Sequence, residues 1–391
     1  MNLLRKSAAI VLAAFLLFLT ACSSGDGKTQ GETTVDPRLF NSNASLINAT
    51  EDTVYFLTGV EGLNNHRLSY MDRATGYAGV LCGKPECTHA GSDCNAWVDS
   101  AIVLTVAEGR VYWAEMGYGR MSVSSVALDG TDRRTEWISP EDYVQVIGNR
   151  WLKVYGNVIY LSFDSSVVVD GEYTHPIRIV AIPRDGGEAY EVLPPTDEFD
   201  SIVFLIFPAE EGLFYCGMEM AELGEDEWGT IHHIRLYDLE SGETQALYDG
   251  FIPDMGLIAS VWPMQDGLLI GGTAPRVYKL RYDTAELKTF FEVDGIDPHQ
   301  IYLGDGLAVV AGVNRTGNAT IELRVVNFDG EELSYAKYPP FSDFMTFEGY
   351  DSEYFYFHGS KGGGYDLFSV IPRDGGDVIE LWDGENYRKG T

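Results

Sequence analysis

The chain has 391 residues and a formal net charge of −32, from 59 acidic and 27 basic residues. That balance excludes nucleic-acid binding, which needs basic patches to meet phosphate, and it excludes a protein body that lies on anionic headgroups. It leaves an acidic surface that is simply solvated, or one that meets divalent cations or basic partners.

Residues 1–21 read as a targeting segment. Arg5 and Lys6 precede an apolar run over residues 8–20 that is too short to stay in a bilayer as a span. The run ends in Leu19-Thr20-Ala21-Cys22. This resembles the lipobox of bacterial lipoproteins, with a Leu three residues before the Cys and small residues between. The resemblance implies cleavage before Cys22, diacylglycerol on its sulfur and an acyl chain on the new amine. It also implies a cell membrane or envelope location facing outside the cytoplasm. Two or three acyl chains, at ~0.8 kcal/mol per buried CH₂, hold a protein durably. Residues 22–36 are then a flexible tether, because SSGDGKTQGETTVD has almost no apolar content.

From residue 37 onward one phrase recurs seven times: a small turn cluster, an aromatic-rich β run, a polar break, a second run, an Asp/Gly turn and a third run. Tyr55, Tyr112, Tyr160, Tyr215, Ile270, Val309 and Tyr356 mark its register at a mean spacing of about 50 residues, the period of propeller blades. The expected fold is all-β, a seven-bladed β-propeller over residues 37–391 with four antiparallel strands per blade. The blades fall roughly at 45–82, 101–139, 151–194, 202–249, 258–293, 299–338 and 343–383. In blade two the strands are expected at 102–106, 111–115, 121–127 and 133–138, from β-branched and aromatic enrichment between turn residues. Ile-Pro-Arg-Asp-Gly-Gly occurs identically at 182–187 and 371–376, at two third-to-fourth turns.

Blade two carries a further resemblance. Tyr112, Trp113, Leu128, Asp129 and Gly130 resemble the repeat of YWTD-type propellers, although Ala114-Glu115 stands where that family has Thr-Asp. The whole chain is similar to bacterial lipoproteins of unknown function with a propeller related to that of lipoprotein-receptor-related proteins. The resemblance implies a fold and leaves function open.

Between blades one and two lies a segment with Cys82, Cys87, His89 and Cys94, taken as a loop over 82–97. Three readings stay open. An exported protein favours a disulfide, with one thiol left over because Cys216 sits across the propeller. Three thiolates and an imidazole also form a tetrahedral set for a structural zinc or iron. A reactive thiol beside His89 is the third, without a third orienting group to complete it. Cys216, inside an apolar run, is expected to be a buried core thiol.

The second-to-third connections and the blade-to-blade connections of a propeller open on one face. The cysteine segment is expected there, with long loops at 163–176 and 217–230 in blades three and four. Loops on a rigid scaffold are where binding residues concentrate, which makes Trp97, Tyr118, Tyr173 and Trp228 candidate platforms for a protein, peptide or glycan ligand. His232 and His233, adjacent at the start of a strand, point to opposite faces. The chain lacks G-x-S-x-G, H-E-x-x-H, a P-loop, an EF-hand loop and a dinucleotide fingerprint. No catalytic residue is assigned. The expected role is a binding or interaction module that touches the membrane through its lipid alone. The alternatives are a surface hydrolase, lyase or oxidoreductase with its chemistry at the central channel, or a structural partner in envelope assembly.

Overall fold

The second run of a repeat can be apolar along consecutive residues, as in Val54-Tyr55-Phe56-Leu57 of blade one and Leu268-Leu269-Ile270 of blade five. The second strand of blade one, for instance, is buried along five consecutive residues. A strand alternates its side chains between two faces, so such a run requires both faces to be covered. A ring of blades packed face to face does this. The computed structural model is a seven-bladed β-propeller with one antiparallel sheet per repeat. It describes residues 46–389 apart from 60–64, 118–119, 141–144, 170–171, 175, 197–200, 210–211, 225–226, 294–298, 305, 315–319, 339–343, 362–364 and 384–385.

Blade one comprises β1 (Ile47–Ala49), β2 (Thr53–Gly59), β3 (Asn65–Asp72), β4 (Ala78–Val80) and β5 (Trp97–Asp99). Blade two is β6 (Ala101–Ala107), β7 (Arg110–Gly117), β8 (Arg120–Ala127) and β9 (Arg134–Ile138), within two residues of each expected bound. Blade three is β10 (Gln145–Tyr155), β11 (Val158–Val169), β12 (Glu172–Thr174), β13 (Ile177–Pro183) and β14 (Tyr190–Thr196). Blade four is β15 (Ser201–Ala209), β16 (Gly212–Gly224), β17 (Glu227–Tyr237) and β18 (Thr244–Phe251). Blade five is β19 (Ile258–Met264), β20 (Gly267–Gly272), β21 (Arg276–Arg281) and β22 (Leu287–Glu292). Blade six is β23 (His299–Gly304), β24 (Leu307–Asn314), β25 (Thr320–Asn327) and β26 (Glu332–Tyr338). Blade seven is β27 (Phe344–Tyr350), β28 (Tyr354–Lys361), β29 (Tyr365–Pro372) and β30 (Ile379–Trp382). No helix occurs among the described residues.

The third-to-fourth turns show why Asp recurs there. Asp72 accepts from the Thr75 amide at 2.8 Å, Asp129 from the Thr131 amide at 2.9 Å and Asp238 from the Ser241 amide at 2.6 Å. These bonds, with those from the neighbouring hydroxyls, hold all three carboxyls below the ordinary Asp value.

The same turns clamp the blades together. Arg184 of the repeated hexapeptide pairs with Glu108 in the first turn of blade two and lies over the Tyr112 ring at 5.5 Å. Arg73 does the same at the seam between blades one and seven. It pairs with Asp351, donates to Tyr356 Oη at 2.8 Å and meets Glu353 at 3.0 Å. Asp351 is fully buried and also accepts from the amides of Glu353 and Tyr354. A charge removed from water this completely is tolerated only when paired and hydrogen-bonded, as here. Beyond β30, the Tyr387 ring packs tilted against Trp382 with centroids 4.6 Å apart, and its hydroxyl meets Ser69 at 2.9 Å and Thr58 at 3.2 Å in blade one. Blades one and seven share a single apolar cluster that includes Phe56, Tyr356, Phe368 and Trp382.

Two expectations are corrected. Residues 163–176 and 217–230 are not loops but arms of long hairpins. Val167, Val168 and Val169 pair with Thr174, Tyr173 and Glu172, and the β16–β17 ladder continues to Gly224↔Glu227. In blade three the β-branched Val167, Val168, Val169 and Thr174 favour a ladder over an open loop. Likewise His232 and His233 lie within β17 rather than at its start.

Candidate metal centre

The cysteine segment leaves the middle of an outer strand. β4 pairs with Ser69, Tyr70 and Met71 of β3, and β5 pairs with Asn65, His66 and Arg67 of the same strand in the same sense. Leu68, between these rungs, accepts from the Leu81 amide at 2.9 Å and donates to the Ala96 carbonyl at 2.8 Å. Residues 81–96 are thus a large bulge in one outer strand, not the connector between blades. The connector is Ser100 alone, so the segment does not open on the face of the second-to-third hairpins.

The bulge docks on the Asp129-Gly130 turn of blade two. The Gly83 amide donates to the Gly130 carbonyl at 3.0 Å and Asn95 Nδ2 donates to that carbonyl at 2.9 Å. The backbones approach so closely that a Cβ on Gly130 would stand 2.6 Å from the Gly83 nitrogen, and Gly130 holds φ +77°. Arg133 lies over the Trp113 ring at 5.3 Å and donates to the carbonyls of Cys94 and Trp97. Glu115, almost fully buried, accepts from the Asp99 amide at 3.0 Å and from Ser124 at 3.2 Å. Burial raises its carboxyl above the ordinary Glu value despite Arg133 nearby.

This framework converges four donors. One ligand atom each from Cys82, Cys87, His89 and Cys94 lies within 4.8 Å of the others, and His89 Nδ1 stands 3.3 Å from Cys94 Sγ. Tetrahedral zinc, with arms of about 2.0–2.3 Å, needs donors about 3.5–3.8 Å apart, so the set fits with small adjustments. None of the four described cysteines is in a disulfide. Burial raises the Cys82 thiol, but the amides of Lys84 and Asn95 and the neighbouring sulfurs outweigh it and hold the thiol below its ordinary value. Burial, with Cys82 and Cys87 alongside, pushes Cys94 up to about 12. Three crowded thiolates repel one another unless a cation sits among them. Glu86 and His89 take left-handed backbone conformations, at φ 59° and 55°. Each costs on the order of 1 kcal/mol and persists where the surroundings fix it.

The other singled-out residues scatter. Trp97 is buried in the cluster of Cys94, Trp113 and Val126, with its indole donating to Asp99 at 3.0 Å, so it offers no open platform. Trp228 is 65% exposed on β17. Tyr173 lies on β12, with its side chain outside the description, and Tyr118 and Cys22 lie outside the described residues. Cys216 is fully buried and pushed up to about 12 by burial. Sequence reading missed the Arg133 and Glu115 supports, which no local motif marks.

No protein-family profile and no curated protein matches the chain. Among solved structures it is similar to a Mycobacterium tuberculosis puromycin-hydrolyzing peptidase at a TM-score of 0.53 and 14% identity, over 90% of this chain and 54% of that one. It is similar to oligogalacturonate lyase in complex with manganese at 0.53 and 12%, over 83% and 87%. It is similar to Pyrococcus horikoshii acylaminoacyl peptidase at 0.51 and 10%, over 90% and 54%. The chain spans about half the length of these peptidases. At such identities the likeness is one of fold: these proteins share the propeller scaffold with this chain.

Proposed function

We propose that the chain is a lipid-anchored, extracytoplasmic propeller that acts as a binding module, with a structural zinc or iron held by Cys82, Cys87, His89 and Cys94. The make-up of the inner strands supports the binding role most. Among the described side chains of β1, β6, β10, β19, β23 and β27, only Lys153 and Glu348 carry charge. They stand on blades three and seven, and Glu348 is buried. Lys153 lies 4.9 Å from the Trp151 ring centroid, and burial pushes its ammonium down to about 8. Others, such as Leu104, Val261, Ile301 and Phe347, are apolar and buried, while Asn48, Thr105 and Ser260 are buried and polar without carrying charge. A channel-centred hydrolase or lyase needs several convergent titratable groups.

The lipid anchor rests on Leu19-Thr20-Ala21-Cys22, and kinship with YWTD-type propellers on Tyr112, Trp113, Leu128, Asp129 and Gly130. The sulfur-rich donor set suits zinc or iron rather than manganese, which favours oxygen ligands, so the lyase's manganese is no guide here.

The binding role is tested by recovering what the purified protein retains from envelope extract. A saturable ligand released with unchanged mass supports it, and a ligand returned chemically altered replaces it with the enzyme reading. The metal is tested on protein purified without oxygen. About one zinc or iron per chain, lost in Cys87→Ser, is expected. Metal-free protein with a disulfide among Cys82, Cys87 and Cys94 overturns it. For the anchor, Cys22→Ala should abolish membrane retention, and a variant that stays bound and processed as before defeats the idea.

A further inference from the structure

The innermost strands depart from the charge of the rest of the chain. β1, β6, β10, β15, β19, β23 and β27 each pair on one side alone, and their free edges face the ring axis. The chain carries 59 acidic residues, yet in sequence these seven strands hold one carboxylate, Glu348, against Arg150, Lys153 and His299. In a molecule of net charge −32, such strands make the axis the place where an anion is least repelled.

Lys153 is the group that draws one in. It is half-buried on β10 and stands opposite Tyr160. The two preceding blades place Asn48 opposite Tyr55 and Thr105 opposite Tyr112, at the equivalent inner-strand positions. Both are uncharged, and Asn48 Nδ2 donates to Thr105 Oγ1 at 3.5 Å. On the following blade β15 reads SIVFLIFPA, without an ionisable side chain. Glu348 is buried on β27, with blades one and two between it and Lys153. Among the described residues the Lys153 ammonium therefore meets the Trp151 ring and no carboxylate. Burial lowers its pKa to about 8, which leaves it mostly charged at neutral pH. A cation drawn out of water without a counter-ion is costly, and a bound anion relieves that cost. Three carboxylates of the first-to-second turns at this end, Glu108, Asp266 and Asp351, are already paired with Arg184, Lys279 and Arg73.

We infer that Lys153 forms a channel site for a small organic carboxylate, whose oxygens take the place of the missing counter-ion. A single ammonium matches a single carboxylate, whereas a phosphate dianion draws on several donors. The inference rests on the binding-module reading and gives it a ligand class and a place.

The test is equilibrium dialysis of the full chain against radiolabelled propionate, with propionamide as a neutral probe of the same shape. Saturable uptake of one propionate per chain is expected, at least tenfold tighter than propionamide and at least tenfold weaker in Lys153→Met. Methionine keeps the apolar stem beside Trp151 and removes an unpaired charge, so the variant should melt no lower than the native chain. A lower melting temperature would show that Lys153 already had a partner, and it overturns the inference. Equal uptake of the two probes, unchanged uptake in the variant, or tighter retention of inorganic phosphate each overturns it. Absence of saturable uptake does so too, as when Glu210 or Glu211, which follow β15 in sequence, already neutralise the ammonium. All of these leave the binding-module reading standing, because that reading is tested on what envelope extract supplies.

Discussion

His232 is the sharpest energetic statement made by a single residue. It is fully buried on β17, and no well-formed hydrogen bond reaches either ring nitrogen. Burial pushes its pKa down to about 4, the Gly256 backbone offsetting this only in part and His233 adding to it. The folded state therefore resists protonation that the unfolded chain accepts at its ordinary value of about 6.5. The stability this gives is complete above about pH 6.5 and is lost as pH falls toward 4, by on the order of 3 kcal/mol in all. Denaturant melts of His232→Gln across that range should show a shallower fall with acid than the native chain. Parallel curves would remove the assignment. Its neighbour His233 faces the other way, with Nδ1 2.6 Å from Asp249 and Nε2 3.5 Å from Glu219. The alternation of a strand was enough to foresee that separation; which of the two would be buried was not in the sequence.

At the scale of elements, the bulge over 81–96 is the informative departure from the repeat. Its closure passes through one residue, since Leu68 bonds to both Leu81 and Ala96. If metal orders the bulge, chelation should speed hydrogen exchange at the Leu68 amide while the β7–β8 amides stay protected. Equal protection with and without metal would sever that link. Gly130→Ala forces a Cβ toward the Gly83 nitrogen at a positive φ. It should cost roughly 1–3 kcal/mol by thermal melting and speed zinc release, whereas a substitution at the exposed Gly186 turn meets no neighbour. The four donors of the bulge were legible as residue types at close spacing. Its place within an outer strand was not, because β4 and β5 recognise their partners on β3 through pairing that skips residues 81–96. The blade-three and blade-four hairpins were misread for a related reason. Asp, Glu and Gly suggested loops, while the signal for a ladder, Val167-Val168-Val169 opposite Glu172-Tyr173-Thr174, becomes decisive only once the register is known.

For the whole molecule, closure of the ring is the costly step, because blades one and seven are far apart in sequence and must meet against loop entropy. The buried Arg73–Asp351 pair, Tyr356 and the Tyr387 contacts concentrate at that seam. Arg73→Ala leaves Asp351 buried without its partner and should destabilise by about 3–5 kcal/mol. Arg184→Ala, at the more exposed seam between blades two and three, should cost about 1 kcal/mol or less. Equal losses in the two variants would show that closure is not where stability concentrates.

The sequence alone determined the number of blades, the four-strand repeat and the turn chemistry, because these follow from local periodicity and from what Asp and Gly do within three or four residues. It also determined which donors are available to a metal. Only the tertiary structure decided that Cys82, Cys87, His89 and Cys94 converge on a turn of the next blade, that Trp97 is core while Trp228 is open, and that an arginine from a repeated turn locks the ring. Those outcomes depend on contacts between residues distant in the chain, and close packing between blades fixes them, not the preferences of any one segment.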